Sequence, residues 1–147
     1  MMIREIIPQD LSGLLELYTH LHDNEIPPID HALAQLWEEI MNDENHHILV
    51  AEVDNKLVSS CVLIIVPNLT HEQRPYALVE NVITAPQYRQ KGYAAQVLRF
   101  AKKIACDHHC YKMMLMTGSK KDSTFRFYAH AGYNSSDKTA FVQWLDL

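Results

Sequence analysis

Apolar residues along this chain fall either in short runs that read as strands or at the helical spacing of about 3.6, and the two patterns follow one another in an α/β order. Met2–Ile7 reads as a strand and is stopped by Pro8. Asp10 is a good N-cap for a helix carrying Leu11, Leu14, Leu15, Tyr18 and Leu21 or His22 on one face. Asp23–Pro28, DNEIPP, must be a loop, because its paired prolines cannot continue a helix. Asp30 can cap a second helix through Met41, with Leu33, Leu36, Trp37 and Ile40 aligned, before the polar break at Asn42–Asn45. His47–Val53 and Leu57–Val66 read as strands of an antiparallel hairpin turned at Asp54-Asn55-Lys56. The second of these is long and apolar enough for the middle of a sheet.

After the polar loop Asn68–Pro75, Tyr76–Thr84 forms the next strand and feeds a glycine turn. A helix opens at Gly92, its buried stripe made of Val97, Leu98, Ala101, Ile104 and Ala105, with Arg99, Lys102 and Lys103 outside. Lys112–Thr117 follows as a strand, and a strand–helix–strand connection of this length makes a right-handed crossover to a parallel neighbour. Asp122–His130 is a short helix closed by Gly132 at C′, and Ala140–Leu145 is the last strand. The expectation is one α/β domain over residues 1–147. Its mixed central sheet is antiparallel early and parallel around the glycine turn, flanked by about four helices.

Composition narrows the class. A chain of 147 residues, 48% hydrophobic, can bury one sizeable core. It has no apolar run long enough to span a membrane, and Met1–Glu5 does not resemble a signal peptide, so a cytoplasmic protein without membrane contact is expected. Three cysteines, an odd number, suit reduced thiols better than a disulfide frame. A net charge of −5 argues against a nucleic-acid-binding face. The charge is unevenly spread: residues 1–75 hold three Lys and Arg against thirteen Asp and Glu, residues 76–147 ten against five. That asymmetry suggests an anionic ligand on the C-terminal half and a cationic one on the N-terminal half, although solvated surface charge would look the same.

The candidate chemistry centres on Arg89-Gln90-Lys91-Gly92-Tyr93-Ala94. A helix start leaves several N–H groups unpaired and carries about half a positive charge, which favours phosphate. Arg89 and Lys91 strengthen that expectation; an ordinary strand-to-helix turn with solvated cations is the alternative. The hexapeptide fits the pattern Arg or Gln, two residues, Gly, one residue, Gly or Ala. Downstream stand Phe127-Tyr128 and Gly132-Tyr133. In this order and on these elements the two motifs resemble the GNAT superfamily of acyl-CoA-dependent N-acyltransferases, most strongly over residues 78–133.

The resemblance implies acetyl-CoA as co-substrate. The amides of Gln90, Lys91, Gly92, Tyr93, Ala94 and Ala95, beside Arg89, would wrap its pyrophosphate. The strand edge at Val82, Ile83 and Thr84 would pair with the pantetheine arm, next to a bulge that opens the sheet. Ala94 is a permitted variant of the motif glycine. Many members carry Asn where this chain has Lys121; a lysine would reach a phosphate instead. Glu80 matches the position of a carboxylate general base, acting directly or through water, its pKa expected to be raised in a half-buried strand. Tyr128 matches the general acid or thiolate donor, a phenol being comparable to a thiol in acidity. A surface strand charge and a core aromatic are the respective alternatives. Asn81, adjacent, should face the other side of the strand.

No metal is expected. Cys106-Asp107-His108-His109-Cys110 lacks a paired cluster and reads as a helix end, and His46-His47 as a loop. In this fold the first two helices and their loop usually wall the acceptor site, so acidic Asp23–Pro28 points to a small cationic amine. A peptide or protein amine, and a non-catalytic acyl-CoA-binding sensor, are the other readings. Dimers are common in the family, which implies a homodimer with Ala140–Leu145 as a candidate interface.

Overall fold

The computed structural model describes residues 1–22 and 24–146. Asp23, first residue of the expected loop, lies outside the described residues. The chain divides into two compact units, Met1–Leu115 and Met116–Leu147.

The first unit holds one sheet of five strands, β1 Met2–Glu5, β2 His46–Val53, β3 Lys56–Val66, β4 Tyr76–Thr84 and β5 Met113–Leu115, arranged in that order. The first three pairings are antiparallel and β4–β5 is parallel, the mixed sheet expected. Helices α1 Leu11–Tyr18, α2 His31–Asn42 and α3 Tyr93–Asp107 belong to the same unit, with short 3-10 turns at Pro8–Asp10 and Pro86–Tyr88. The second unit contains α4 Asp122–His130.

The β2–β3 hairpin closes on Asp54 and Asn55 at φ 49° and 61°. Both central residues are left-handed, as a two-residue turn matched to strand twist requires. Ile48, Val50 and Val62 then present one face to Leu14 of α1, with Trp37 and Ile40 of α2 and Tyr18 against it. By alternation, Leu49, Ala51 and Leu63, all 0% exposed, point to the opposite face. There α3 crosses the sheet, and its buried residues are Val97, Leu98, Ala101, Ile104 and Ala105, the stripe expected. Val97, Leu98 and Ile104 each contribute about 1.5–3 kcal/mol when fully buried, so α3 holds its place chiefly through this seam.

Four local expectations are corrected. Asp10 makes no side-chain cap; its carboxylate takes Arg4 Nη1 at 2.6 Å and the Ile7 N–H at 2.8 Å. Burial pushes that carboxyl up, but the Arg4 guanidinium and the Ile7 N–H outweigh it and hold it below the usual range. Leu17 rather than Leu15 is buried on α1, because Leu17 packs against Ile83 and Ala85. β2 begins at His46, one residue before the expected strand, so neither His46 nor His47 lies in a loop. Ala140–Leu145 takes up no strand: Phe141, Trp144 and Leu145 are 91%, 79% and 86% exposed. A strand is stable only with a ladder partner, and among the described residues this segment has none. Asp30, by contrast, caps α2 as expected, accepting the Leu33 N–H at 2.9 Å. No helix among the described residues is long and apolar enough to cross a membrane.

Candidate active site

Two irregularities in β4 build the site. On its outer edge, β4 pairs with β5 only from Ala77↔Met113 to Val79↔Leu115. From Glu80 to Thr84 that edge carries no strand among the described residues, and its alternate N–H and C=O groups are open to an extended ligand. On its inner edge the register slips: Ser60 faces Ile83 and Val62 faces Glu80, so two steps along β3 match three along β4. This is a β-bulge, and Asn81 within it has φ 51°. Asparagine is among the few residues that adopt this conformation readily.

The bulge decides where side chains point. Glu80 lies opposite Val62, and directly opposed residues share a face, so Glu80 is on the side of α1 and α2. It is exposed rather than half-buried, which corrects the expectation and leaves it accessible to an incoming group. Strict alternation would send Asn81 to the other face, but the extra residue breaks the alternation. Asn81 is exposed. Burial pushes the phenol of Tyr18, at the end of α1, up to about 12, while Ser60 and Asn81 draw it back. Two consecutive polar residues, Glu80 and Asn81, inside an otherwise largely apolar strand are the available signal for the bulge.

Beyond the bulge the strand leads into the turn. Val82 and Thr84 are half-buried, whereas the Ile83 side chain is 8% exposed and packed on Leu17, so Ile83 offers a ligand only its backbone. Thr84 Oγ1 meets Ser59 Oγ at 2.8 Å, and the Thr84 carbonyl accepts Arg89 Nε at 3.1 Å, tying the turn to the strand end. Gln90 and Gly92 are left-handed at φ 60° and 83°. A Cβ at Gly92 would meet nothing within 4 Å, so backbone conformation and not space selects glycine there. The first bond into α3 runs from Gln96 N–H to the Gly92 carbonyl at 3.1 Å. Among the described residues, the backbone N–H groups from Gln90 to Ala95 have no protein acceptor. Lys91 Nζ lies 5.3 Å from the centre of the Tyr88 ring, which packs edge-on against Tyr93. The donors, the helix dipole and two exposed cations together suit a diphosphate.

A separate polar cleft of about 330 Å³ is lined by Arg4, Asp10, Glu16, Glu52, Lys56 and Tyr88 among others. Neither Glu80 nor residues 90–95 line it.

In the second unit, Lys121 is the N-cap of α4, its carbonyl accepting the Thr124 and Phe125 N–H groups at 3.1 and 3.2 Å and its side chain exposed. The helix ends in a Schellman motif, Tyr133 N–H to the Tyr128 carbonyl and Gly132 N–H to that of Ala129, both 3.0 Å, with Gly132 at φ 98°. The half-buried Tyr128 ring packs edge-to-face with Phe127 at 5.0 Å and Tyr133 at 6.1 Å. The Cys106–Cys110 segment is a helix end, as expected: His109 N–H bonds the Cys106 carbonyl and His108 Nδ1 that of Ile104, both at 2.9 Å.

Comparison with known proteins fits this geometry. The family model described as the acetyltransferase (GNAT) family matches residues 14–133. A curated relative, glucosamine 6-phosphate N-acetyltransferase of Trypanosoma brucei brucei, is 28% identical over 142 residues, 92% of this chain and 90% of that protein. Among solved structures, a protein of Agrobacterium tumefaciens str. C58 provisionally named an acetyltransferase is 35% identical with a TM-score of 0.91, covering 98% of this chain and 99% of its own. Glucosamine-6-phosphate N-acetyltransferase of Arabidopsis thaliana shares the fold at 21% identity and a TM-score of 0.85, covering 99% and 98%.

Proposed function

The chain belongs to the acetyltransferase (GNAT) family and is an acyl-CoA-dependent N-acetyltransferase, and from that premise we propose that it acetylates the primary amine of a small, cationic acceptor by direct attack on acetyl-CoA. The observation that carries this reading is the continuous run from the bulge at Asn81, along an open strand edge, to a turn with unpaired N–H groups. CoA combines a diphosphate with a long amide-bearing arm. Its diphosphate suits the amides of Gln90–Ala95 with Arg89 and Lys91 nearby. Its arm would add to Val82–Thr84 like a further strand, bringing the thioester to the bulge. The family match spans residues of both units, which supports treating the chain as one N-acetyltransferase domain.

In the reaction the amine lone pair attacks the thioester carbonyl carbon. The C–N bond forms, the C–S bond then breaks, and the electron pair leaves with sulfur as CoA thiolate. Glu80 takes the proton lost by nitrogen, directly or through water, and Tyr128 supplies a proton to the thiolate. Lys121 would add a positive charge for a CoA phosphate. The roles of Tyr128 and Lys121 rest on the family motif each matches.

The acceptor's charge follows from the carboxylate surplus of residues 1–75, including exposed Glu25 and Asp30 on either side of Pro27 and Pro28. Two relatives are named for an amino-sugar phosphate, so that class belongs in the test. Release of CoA thiol from acetyl-CoA is followed with polyamines, aminoglycosides, lysine-like amines, short peptides, neutral amines and glucosamine 6-phosphate. Faster turnover with the cationic small amines is expected. Reaction with neutral or anionic acceptors alone would remove the charge assignment. CoA binding without transfer to any amine would favour a sensor.

A further inference from the structure

Two histidines far apart in sequence meet on the α3 side of the sheet. His47 of β2 is paired with Leu63, so it shares the face that α3 covers, opposite to Glu80. His108 is the C-cap of α3. The two imidazole rings stand 5.4 Å apart, centre to centre, at 69° to one another.

Hydrogen bonds fix the state of both rings. His47 Nδ1 lies 3.1 Å from a carboxylate oxygen of Glu5, and His108 Nδ1 lies 2.9 Å from the Ile104 carbonyl. A carboxylate and a carbonyl only accept, so each Nδ1 donates, and in the neutral ring each Nε2 keeps its lone pair. The His47 side chain is 12% exposed, and its Nε2 is buried without a hydrogen-bond partner. A buried acceptor left unmet bears its full desolvation penalty, so packing alone does not account for it.

The arrangement suits a metal ion. Imidazoles that bind metal through one nitrogen commonly donate the other N–H to a carboxylate or a backbone carbonyl, and here one ring does each. With metal–nitrogen bonds of about 2.0–2.1 Å and ring centres about 1.2 Å behind the nitrogens, two ligands at a tetrahedral angle stand about 5.2 Å apart. The observed 5.4 Å fits that spacing. The end of α3 also favours a cation, because its last turn holds no basic residue to offset the negative end of the helix dipole.

We propose that His47 and His108 bind one zinc-class divalent transition-metal ion through their Nε2 atoms, pinning the C-terminal end of α3 to the start of β2. Glu5 and the Ile104 carbonyl orient the two ligands. Among the described residues no group of three His, Cys, Asp or Glu forms a metal cluster, so water would complete the coordination. The inference is independent of where acetyl transfer takes place.

The test is calorimetric titration of the chelator-treated, dialysed protein with zinc chloride at neutral pH, followed by thermal melts with and without the ion. One ion per chain is expected, and it should raise the thermal midpoint by several degrees. His47→Gln and His108→Gln should each weaken zinc binding about tenfold or more and abolish the thermal shift, while Glu5→Ala should weaken it about tenfold. His108 is exposed at a helix end, so its variant is expected to fold even where His47→Gln does not. Magnesium chloride, a hard ion that imidazole binds poorly, should produce neither effect. Cys106→Ser should bind zinc as wild type does. Zinc affinity within twofold of wild type in His108→Gln, loss of binding in Cys106→Ser, an equal response to magnesium, or no zinc bound at a hundredfold excess over protein would each overturn the proposal.

Discussion

Glu80→Gln is expected to lower kcat about a hundredfold at neutral pH, the lower end of what a positioned general base contributes. At about 1.4 kcal/mol per tenfold, that is about 2.7 kcal/mol of lost transition-state stabilisation. Glutamine keeps the size and the strand position of Glu80 but cannot take a proton. The side chain is exposed, on the face of β4 shared with α1 and α2, so an acceptor or a bridging water reaches it without rearrangement of the core. Because its burial is slight, the substitution should leave thermal stability and CoA affinity close to wild type. The pH–rate profile distinguishes a base from a mere binding charge. The rising acidic limb of kcat, which reports deprotonation of the base, should vanish in the variant. A Glu80→Gln enzyme with raised KM for the amine but unchanged kcat and unchanged pH limb would make Glu80 a substrate contact instead.

Tyr128→Phe is expected to lower turnover by an order of magnitude or more, again with CoA affinity nearly intact. The phenol and a thiol have comparable acidity, so a positioned tyrosine can protonate the departing thiolate at little cost. Phenylalanine preserves the ring contacts to Phe127 and Tyr133 and the Schellman closure at Gly132, which depends on the backbone of residue 128. A loss of activity in this variant is therefore read at the hydroxyl, provided its thermal midpoint is unchanged. The effect should be smaller with acyl thioesters whose thiols are more acidic, since these leave without help. Unchanged turnover would take the donor role from Tyr128.

How much of this was legible in the chain depends on how local each feature is. The stripe Val97, Leu98, Ala101, Ile104 and Ala105 on α3 could be read directly, because helical spacing alone selects a buried face. So could the span of β4 and the left-handed Gly92, each determined by neighbouring residues. The bulge could not, since it is a mismatch between β3 and β4 that neither strand carries alone. There the alternation is broken, so a face assignment carried along β4 at a period of two holds only as far as Glu80. Asp10 shows the same limit. Its position suits a helix cap, but Arg4 of β1, with Glu52 of β2 bound on its other side, captures the carboxylate. Ala140–Leu145 is apolar enough to read as a strand, yet apolar composition supplies no partner.

The central claim is that acetyl-CoA lies along the open edge of β4 with its diphosphate on the turn before α3. A crystal structure of the protein with CoA tests it most directly. Pyrophosphate oxygens are expected within hydrogen-bond distance of the N–H groups from Gln90 to Ala95, pantetheine amides paired with Val82–Thr84, and the sulfur beside the bulge at Asn81. CoA bound elsewhere, for instance in the cleft lined by Arg4, Asp10 and Glu52, with the β4 edge left open, would contradict it.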